Sequence, residues 1–337
     1  MTTSKLPSGK WRTRVYINGK QISFTASTKA ESIRLATQAS NRQNNARMTV
    51  NSALRGYFEA KKGILSPSTA REYARSIDRD YSAIGMMRTD KLTRAVIQKW
   101  ISDYSVSHSA KSTRNAYGLL SAALDLMCDM RFKVELPKIP PRSYQIPSES
   151  DFRQAIAECD DEMKKAVLLA GIGTMRRGEI AALTYGDIDG NVIHIHADKI
   201  RSDAGYIVKP MPKTSASDRY ITYPAFVIDA LGTGRKTDPV VRISPEHISR
   251  RWRVIRKRCG LDGVRFHDLR HYAASIAHSL GVPDKIIQDR GGWSDDRVMK
   301  AVYRNTMKEY SDKFTDMLNE HFETQIRHEE IKKSAKP

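Results

Sequence analysis

The alternation of apolar and polar positions divides the chain into three stretches. At the start, Trp11, Thr13, Val15 and Ile17 alternate with Arg12, Arg14 and Tyr16; Asn18-Gly19 follows, and Ile22, Phe24 and Ala26 alternate again. Period-two alternation on both sides of an Asn-Gly pair predicts a β-hairpin. Thr28 and Glu31 then stand at capping-box spacing ahead of Ala30, Ile33 and Ala36, which predicts a helix. Residues 1–47 therefore read as a small α+β domain, a basic sheet backed by one helix.

From about residue 48 to 135 the period becomes helical. Ser66-Pro67 supplies an N-cap followed by proline at the first helical position, and Ile97, Trp100, Ile101 and Tyr104 recur at helical spacing. A longer stripe runs through Ala116, Leu119, Leu120, Ala123, Leu124 and Met127, on a helix that begins with Lys111 and Arg114. These stripes predict the core of an all-α domain over 48–135. Four prolines between Leu136 and Pro147 resist both helix and central strand, so 136–147 reads as an extended linker. The remainder, 148–337, has helical patterns over 149–158 and 163–172, a strand-like Asn191–Ile200, and extended pieces at Tyr206–Lys209 and Arg219–Tyr223; helices then return to about residue 330. The expected architecture is multidomain: a sheet-plus-helix module, an all-α domain, and a mainly-α domain with a small antiparallel sheet.

Charge sharpens this picture. The 337 residues carry a formal net charge of +19, which favours a polyanionic partner, nucleic acid first. The first 50 residues hold nine Lys or Arg against one acid, and the rest of the excess is spread along the chain, as in a protein that wraps its ligand. On the predicted sheet, Arg12, Arg14 and Lys20 form a polar face suited to DNA; the plainer reading is a solvated α+β module. Lys111 and Arg114 are placed to hold phosphates. On the helix predicted over 245–259, Arg250, Arg251 and Arg253 belong to a run of basic residues without an interleaved acid, which favours a phosphate-tracking surface. The three cysteines, Cys128, Cys159 and Cys259, match no metal-ligand spacing, and no metal site is expected. The start of the chain lacks an apolar signal core, and nowhere is there the run of roughly 18 apolar residues that a membrane span requires. The expectation is a cytoplasmic protein that does not engage membranes.

Three separated pieces of the last stretch carry chemistry: GTMRRGEI at 173–180, HDLRH at 267–271, and Gly292-Trp293 with Tyr303 ten residues after the tryptophan. With Pro212-Lys213-Thr214 between the first two, these motifs resemble the tyrosine recombinase (phage integrase) family in order and spacing. The resemblance implies that Arg176 and Arg270 clamp a DNA phosphate, whose oxygens gain charge on attack and need fixed donors; the planar, permanently charged guanidinium matches them. Glu179 and His271 are supporting residues, and an Arg176–Glu179 ion pair could coexist with the catalytic role. Tyr303 is the implied nucleophile; with a free pKa of about 10 it needs a base or positive field. Tyr310 is a rival at longer spacing. His267 is implied as proton acceptor or phosphate donor near the tyrosine. Lys213 is the implied general acid to the leaving 5′ oxygen; Lys213-Thr214 with the following Ser217 and Arg219 matches the family better than Lys209 does, although the sequence leaves the two open. Trp293 stands where many relatives have a second histidine; it can donate a hydrogen bond but cannot exchange a proton. Two smaller departures are Gly173-Thr174, where Thr-Gly is the commoner order, and Gly291, where leucine is usual.

The resemblance further implies arm-type DNA binding by 1–47, core-site binding by 48–135 and catalysis by 148–337. The two larger domains would clamp the duplex. A 3′-phosphotyrosine conserves the bond energy, so neither ATP nor a metal or other cofactor is called for. Strand exchange needs four active sites, hence a homotetramer on double-stranded DNA, with an excisionase and a host DNA-bending protein as possible partners. Phe314, Leu318 and Phe322 recur at helical spacing and fit packing on the same chain or on a neighbouring copy. A type IB topoisomerase-like enzyme and a non-catalytic DNA-binding regulator are the competing functions.

Overall fold

The computed structural model describes residues 1–17, 20–45, 48–140, 144–210, 218–293, 315–317, 319, 320 and 323. It divides into two compact units, Met1–Pro141 and Arg142–Pro337. The expected Asn18-Gly19 turn and the apolar stripe Phe314, Leu318 and Phe322 lie outside the described residues.

The first unit opens with β1 (Thr2–Lys5), β2 (Trp11–Ile17) and β3 (Lys20–Ala26), an antiparallel sheet in the order β1-β2-β3. α1 (Lys29–Asn45) covers one face, burying Thr13 and Val15 of β2, and the Thr13 and Ser32 hydroxyls are hydrogen-bonded at 2.9 Å. β1 has no apolar alternation of its own, so the sequence signalled only the hairpin. Register decides which side chains share the open face. Thr2↔Arg14↔Ser23 and Ser4↔Arg12↔Thr25 put both arginines among hydroxyls, with no acid on that face. Lys20 pairs with Ile17 and so falls on the opposite face, that of Val15 and Ile22. The sequence grouping of Lys20 with Arg12 and Arg14 is thereby corrected; alternation by two residues puts it on the other side.

Four helices complete this unit: α2 (Val50–Lys61), α3 (Pro67–Arg79), α4 (Arg94–Ser107) and α5 (Ala110–Cys128). Thr49, Ser66, Thr93 and Ser109 cap them in turn, each accepting a backbone N–H three residues on. Ile97, Trp100 and Ile101 meet Leu120 and Leu124 in the core, and buried Tyr81 donates its hydroxyl to the Ala116 carbonyl at 2.7 Å. The extended chain after α5 is held to the helices by side chains. Gln98 brackets the Glu135 backbone, Tyr117 donates to the Phe132 carbonyl, and Arg114 Nε donates to the Pro137 carbonyl at 2.8 Å. A proline-rich strand cannot pair in a sheet, and these side chains supply the partners its backbone lacks. Arg114 is thus half-buried and partly committed to its own chain, whereas Lys111 is exposed.

The second unit contains α6 (Glu149–Ala157), α7 (Asp161–Gly171), α8 (Arg177–Ala182), β4 (Ile188–Asp189), β5 (Val192–Ile195), β6 (Ala197–Ser202), β7 (Gly205–Pro210), β8 (Arg219–Thr222), α9 (Ala225–Leu231), α10 (Pro245–Arg258), α11 (Asp268–Ser279) and α12 (Asp284–Gly291). The single strand expected over Asn191–Ile200 is two: β5 joins the sheet β4-β5-β8, and β6 pairs with β7 in a separate hairpin. The core gathers α7, α8, α9, α10 and α11, with Leu169, Met175, Ile180, Trp252 and Leu269 almost without solvent contact. It fixes where α8 and α11 begin, and those two helix starts present Arg176 and Arg270. Among the described residues no helix is long and apolar enough to cross a membrane.

Candidate active site

Arg176 is the N-cap of α8, and one carboxylate organises it. Glu179 accepts the Arg176 backbone N–H at 2.8 Å and its Nη1 at 2.5 Å, so the residue that caps the helix also orients the guanidinium. Arg176 Nη2 donates to the Gly292 carbonyl at 2.7 Å. The R-x-x-E spacing thus yields the ion pair foreseen from the sequence, while the Arg176 side chain remains 33% exposed. Glu179 is buried, and burial alone would raise its pKa. Two bonds from Arg219, at 2.9 and 3.2 Å, together with Arg176, overcome that effect and hold the carboxyl below its ordinary range.

Arg270 lies on the first turn of α11 and is 1% exposed. Its Nη1 donates to the Thr174 carbonyl, while Nε and Nη2 have no hydrogen-bond partner among the described residues. Burial, then the nearby Arg176 charge, disfavour the charged form, yet a guanidinium stays protonated in proteins. A buried cation with two unused donors is costly unless an anion completes it. The Trp293 ring supplies one face, its centroid 4.0 Å from the guanidinium carbon.

Trp293 is 8% exposed. Gly292, the C-cap of α12, adopts φ 61°, a left-handed turn that returns the chain toward the helix, where Gln288 bonds both the N–H and the carbonyl of Trp293. A Cβ on Gly291 would lie 1.9 Å from Trp293 Cζ3. The two departures noted at 291 and 293 are therefore one packing solution: the indole fills the space that a side chain at 291 would take. The Gly173-Thr174 order has a comparable cause. A Cβ on Gly173 would lie 1.5 Å from the buried Tyr223 hydroxyl, which admits only glycine. Thr174, at φ 58°, offers its hydroxyl to the Arg290 carbonyl at 3.0 Å.

His267 and His271 bracket Arg270, their rings edge to face at 5.4 Å, and His271 stacks on Trp293 at 6.4 Å. His267 keeps an exposed edge. Crowding by the protein, then the Arg270 charge, push its pKa down to about 4. His271 is 2% exposed; burial, then His267, push it to about 4 as well. Both imidazoles are neutral at pH 7, and the neutral His267 ring can accept a proton or donate its N–H.

Lys213, Tyr303 and Tyr310 lie outside the described residues, as do Pro212, Thr214 and Ser217. Lys209 is exposed on β7, opposite Asp198. Arg176, Arg270, His267, His271, Trp293 and Glu179 are brought together. Arg219 and the Arg290 carbonyl, which sequence reasoning assigned no role, complete the network; the only signal was the Lys-Thr…Ser…Arg match that ends at Arg219. On α10, Arg251 forms an ion pair with Asp160, and Arg258 lies 3.7 Å from Glu158. The basic run over 250–258 has no interleaved acid, but the chain between α6 and α7 supplies two. Arg250 and Arg253 are exposed. Among the described residues no cluster of three or more His, Cys, Asp or Glu is placed to hold a metal ion.

Residues 148–309, which include every element of this site, match the model of the phage integrase family. Over that stretch, just under half of its length, the chain is similar to that family. Over 169 residues it is 30% identical to the integrase of Salmonella phage P22, an alignment that covers 48% of this chain and 43% of that protein. Thus the chain spans under half the length of that curated relative. Among solved structures, the integrase of transposon Tn1549 in complex with transposon right end DNA superposes with a TM-score of 0.62 at 15% identity, covering 79% of this chain and 99% of that one. A lambda integrase dimer bound to a COC′ core site gives 0.58 at 18% identity, over 90% and 95%. At such identities the likeness establishes the integrase-family fold.

Proposed function

We propose that this chain is a site-specific DNA recombinase, which cleaves and rejoins DNA through a 3′-phosphotyrosine and so integrates or excises a phage or other mobile element. The observation that carries this reading is Arg270: a buried guanidinium with two unspent donors, beside a second arginine that is itself partly exposed. A backbone phosphate completes both, since its non-bridging oxygens accept from planar N–H pairs. Attack on phosphorus increases the charge on those oxygens, so donors already oriented by Glu179 and Thr174 stabilise the transition state more than the ground state.

In this mechanism the Tyr303 oxygen attacks the phosphate, the bond to the 5′ oxygen breaks, and Lys213 protonates that leaving oxygen to give the free 5′ hydroxyl. Neutral His267 takes the phenolic proton or donates to a phosphate oxygen. Trp293 donates no proton; it supports Arg270 through its ring face. The incoming 5′ hydroxyl of the partner strand then attacks the phosphotyrosine and releases Tyr303. Residues 1–47 present Arg12 and Arg14 to arm-type sites, and 48–135 hold the core site with Lys111. Arg250 and Arg253 add phosphate contacts, while Arg251 acts through its pair with Asp160. The working form is a homotetramer on double-stranded DNA in the cytoplasm, assisted by an excisionase and a host DNA-bending protein. The DNA-bound state of the two superposed integrases supports the same class of partner.

The test is covalent trapping on a nicked duplex that carries the attachment sequence bordering the gene. Wild type should form a protein–DNA adduct and Tyr303→Phe none. Equal trapping by both removes the assigned nucleophile. Relaxation of generic plasmid without recombination of two matched sites would favour a topoisomerase.

A further inference from the structure

Arg219 has no direct part in the chemistry just described, yet every nitrogen of its guanidinium is committed at the site. Nη1 and Nη2 donate to the two oxygens of Glu179 at 3.2 and 2.9 Å, and Nε donates to the Arg290 carbonyl at 2.9 Å. The residue is 7% exposed, and its guanidinium nitrogens are spent on protein acceptors rather than left for a DNA backbone. Its contacts fall on the two segments that present the phosphate ligands. Glu179 holds Arg176, whose other end bonds the Gly292 carbonyl at 2.7 Å. The Arg290 carbonyl also accepts the Thr174 hydroxyl, and the Thr174 carbonyl in turn accepts Arg270.

Charge balance gives these contacts a consequence. A carboxylate facing Arg176 alone would neutralise it and compete with phosphate for its N–H groups. With Arg219 on the far side, the buried trio carries net positive charge, and that charge resides on its one partly exposed member. We infer that Arg219 is a positioning residue: by balancing Glu179 and bridging it to the Arg290 carbonyl, it leaves Arg176 oriented and electrostatically available to the scissile phosphate. Geometry and charge act together here, because Arg219 Nε and Thr174 Oγ1 share one carbonyl and so tie the Arg176 turn to the Gly292-Trp293 turn. Placement errors of about 1 Å at a reacting centre can cost on the order of 100-fold in rate.

This inference rests on the recombinase reading, and the experiment separates the two. Full-length wild type, Arg219→Met and Arg219→Lys are compared on the nicked attachment-site duplex, measuring the single-turnover rate of adduct formation and, separately, the Kd for the intact duplex. Expected for Arg219→Met is a rate loss of about 10- to 100-fold with Kd changed by less than about twofold, since affinity is shared among many phosphate contacts. Arg219→Lys keeps the charge opposite Glu179 and should recover at least about half of the loss on a logarithmic scale. A role confined to packing would not be rescued by lysine, which lacks the planar shape. A rate within about twofold of wild type for Arg219→Met, no rescue by Arg219→Lys, or a loss in Kd matching the loss in rate overturns the assignment. If Arg219→Met does not fold, Arg219→Gln, which keeps volume and a donor but not the charge, replaces it under the same thresholds. If wild type itself traps no adduct, the recombinase reading fails; if wild type traps and the Arg219 variants match it, only the positioning role fails.

Discussion

The Trp293 indole occupies the volume that a side chain on Gly291 would need, with the built Cβ 1.9 Å from Trp293 Cζ3. The centroid of the same ring lies 4.0 Å from the Arg270 guanidinium carbon. Residue 291 therefore reaches Arg270 through one intervening side chain, and changes at 291 and 293 should not be additive.

Gly291→Leu alone should displace the indole, costing about 1–3 kcal/mol by overpacking and slowing adduct formation. Gly291→Leu combined with Trp293→His should recover most of that stability, because the smaller ring vacates the space. Thermal melts of the two single variants and the double variant form the cycle; strict additivity would contradict the shared-volume account.

Arg270 should make the protein sensitive to simple oxyanions. Inorganic sulfate or phosphate should raise the melting temperature of wild type in a saturable way, as a ligand of the native state does. In Arg270→Met the saturable part should vanish, leaving only the general salt effect. Equal anion responses in both proteins would show that the unspent donors of Arg270 do not bind the anion.

The two histidines give a pH dependence with a definite sign. Their pKa values lie at about 4 in the folded chain, against about 6.5 for a free imidazole. Between those values the unfolded chain binds more protons than the folded one, so stability falls as pH drops from about 6.5 toward about 4. Replacing His271 by Phe, which fits the stacked position beside Trp293, should flatten this part of the stability curve. Proton NMR of the ring C–H groups should show both histidines neutral at pH 6 in the absence of DNA.

On the N-terminal sheet, register predicts unequal roles for three basic residues. Arg12→Ala and Arg14→Ala should each weaken duplex binding and lower the salt dependence by about one phosphate contact, because both stand on the open face. Lys20→Ala should change the salt slope little, since Lys20 shares the face covered by α1. Filter binding across a salt series measures all three.

Much of the second unit was legible in sequence because the family chemistry is written in local motifs. Arg176 and Glu179 stand one helical turn apart, and His267, Arg270 and His271 share the start of α11, so spacing alone put each group on one side of a helix. The helix cap at Ser66 was legible for the same reason, since a hydroxyl three residues ahead of a backbone donor is a local relationship. Strand partners were less so. β1 lacks alternation, and the division of 191–202 into β5 and β6 depends on different partners: β5 pairs with β8, distant along the chain, whereas β6 turns back on the next strand, β7.

The sequence by itself determined that Arg176 and Glu179 share one helix start and that His267, Arg270 and His271 share another, because helix periodicity and capping act over three or four residues. Only the tertiary structure decided that Arg219 stands behind Glu179, 40 residues away, that Lys20 turns from Arg12 and Arg14, that Arg251 is paired with Asp160, and that Gly291 and Trp293 share one volume. Each of these depends on how separate elements pack or pair, and close packing in a buried core is settled by the whole set of neighbours rather than by any one stretch of chain.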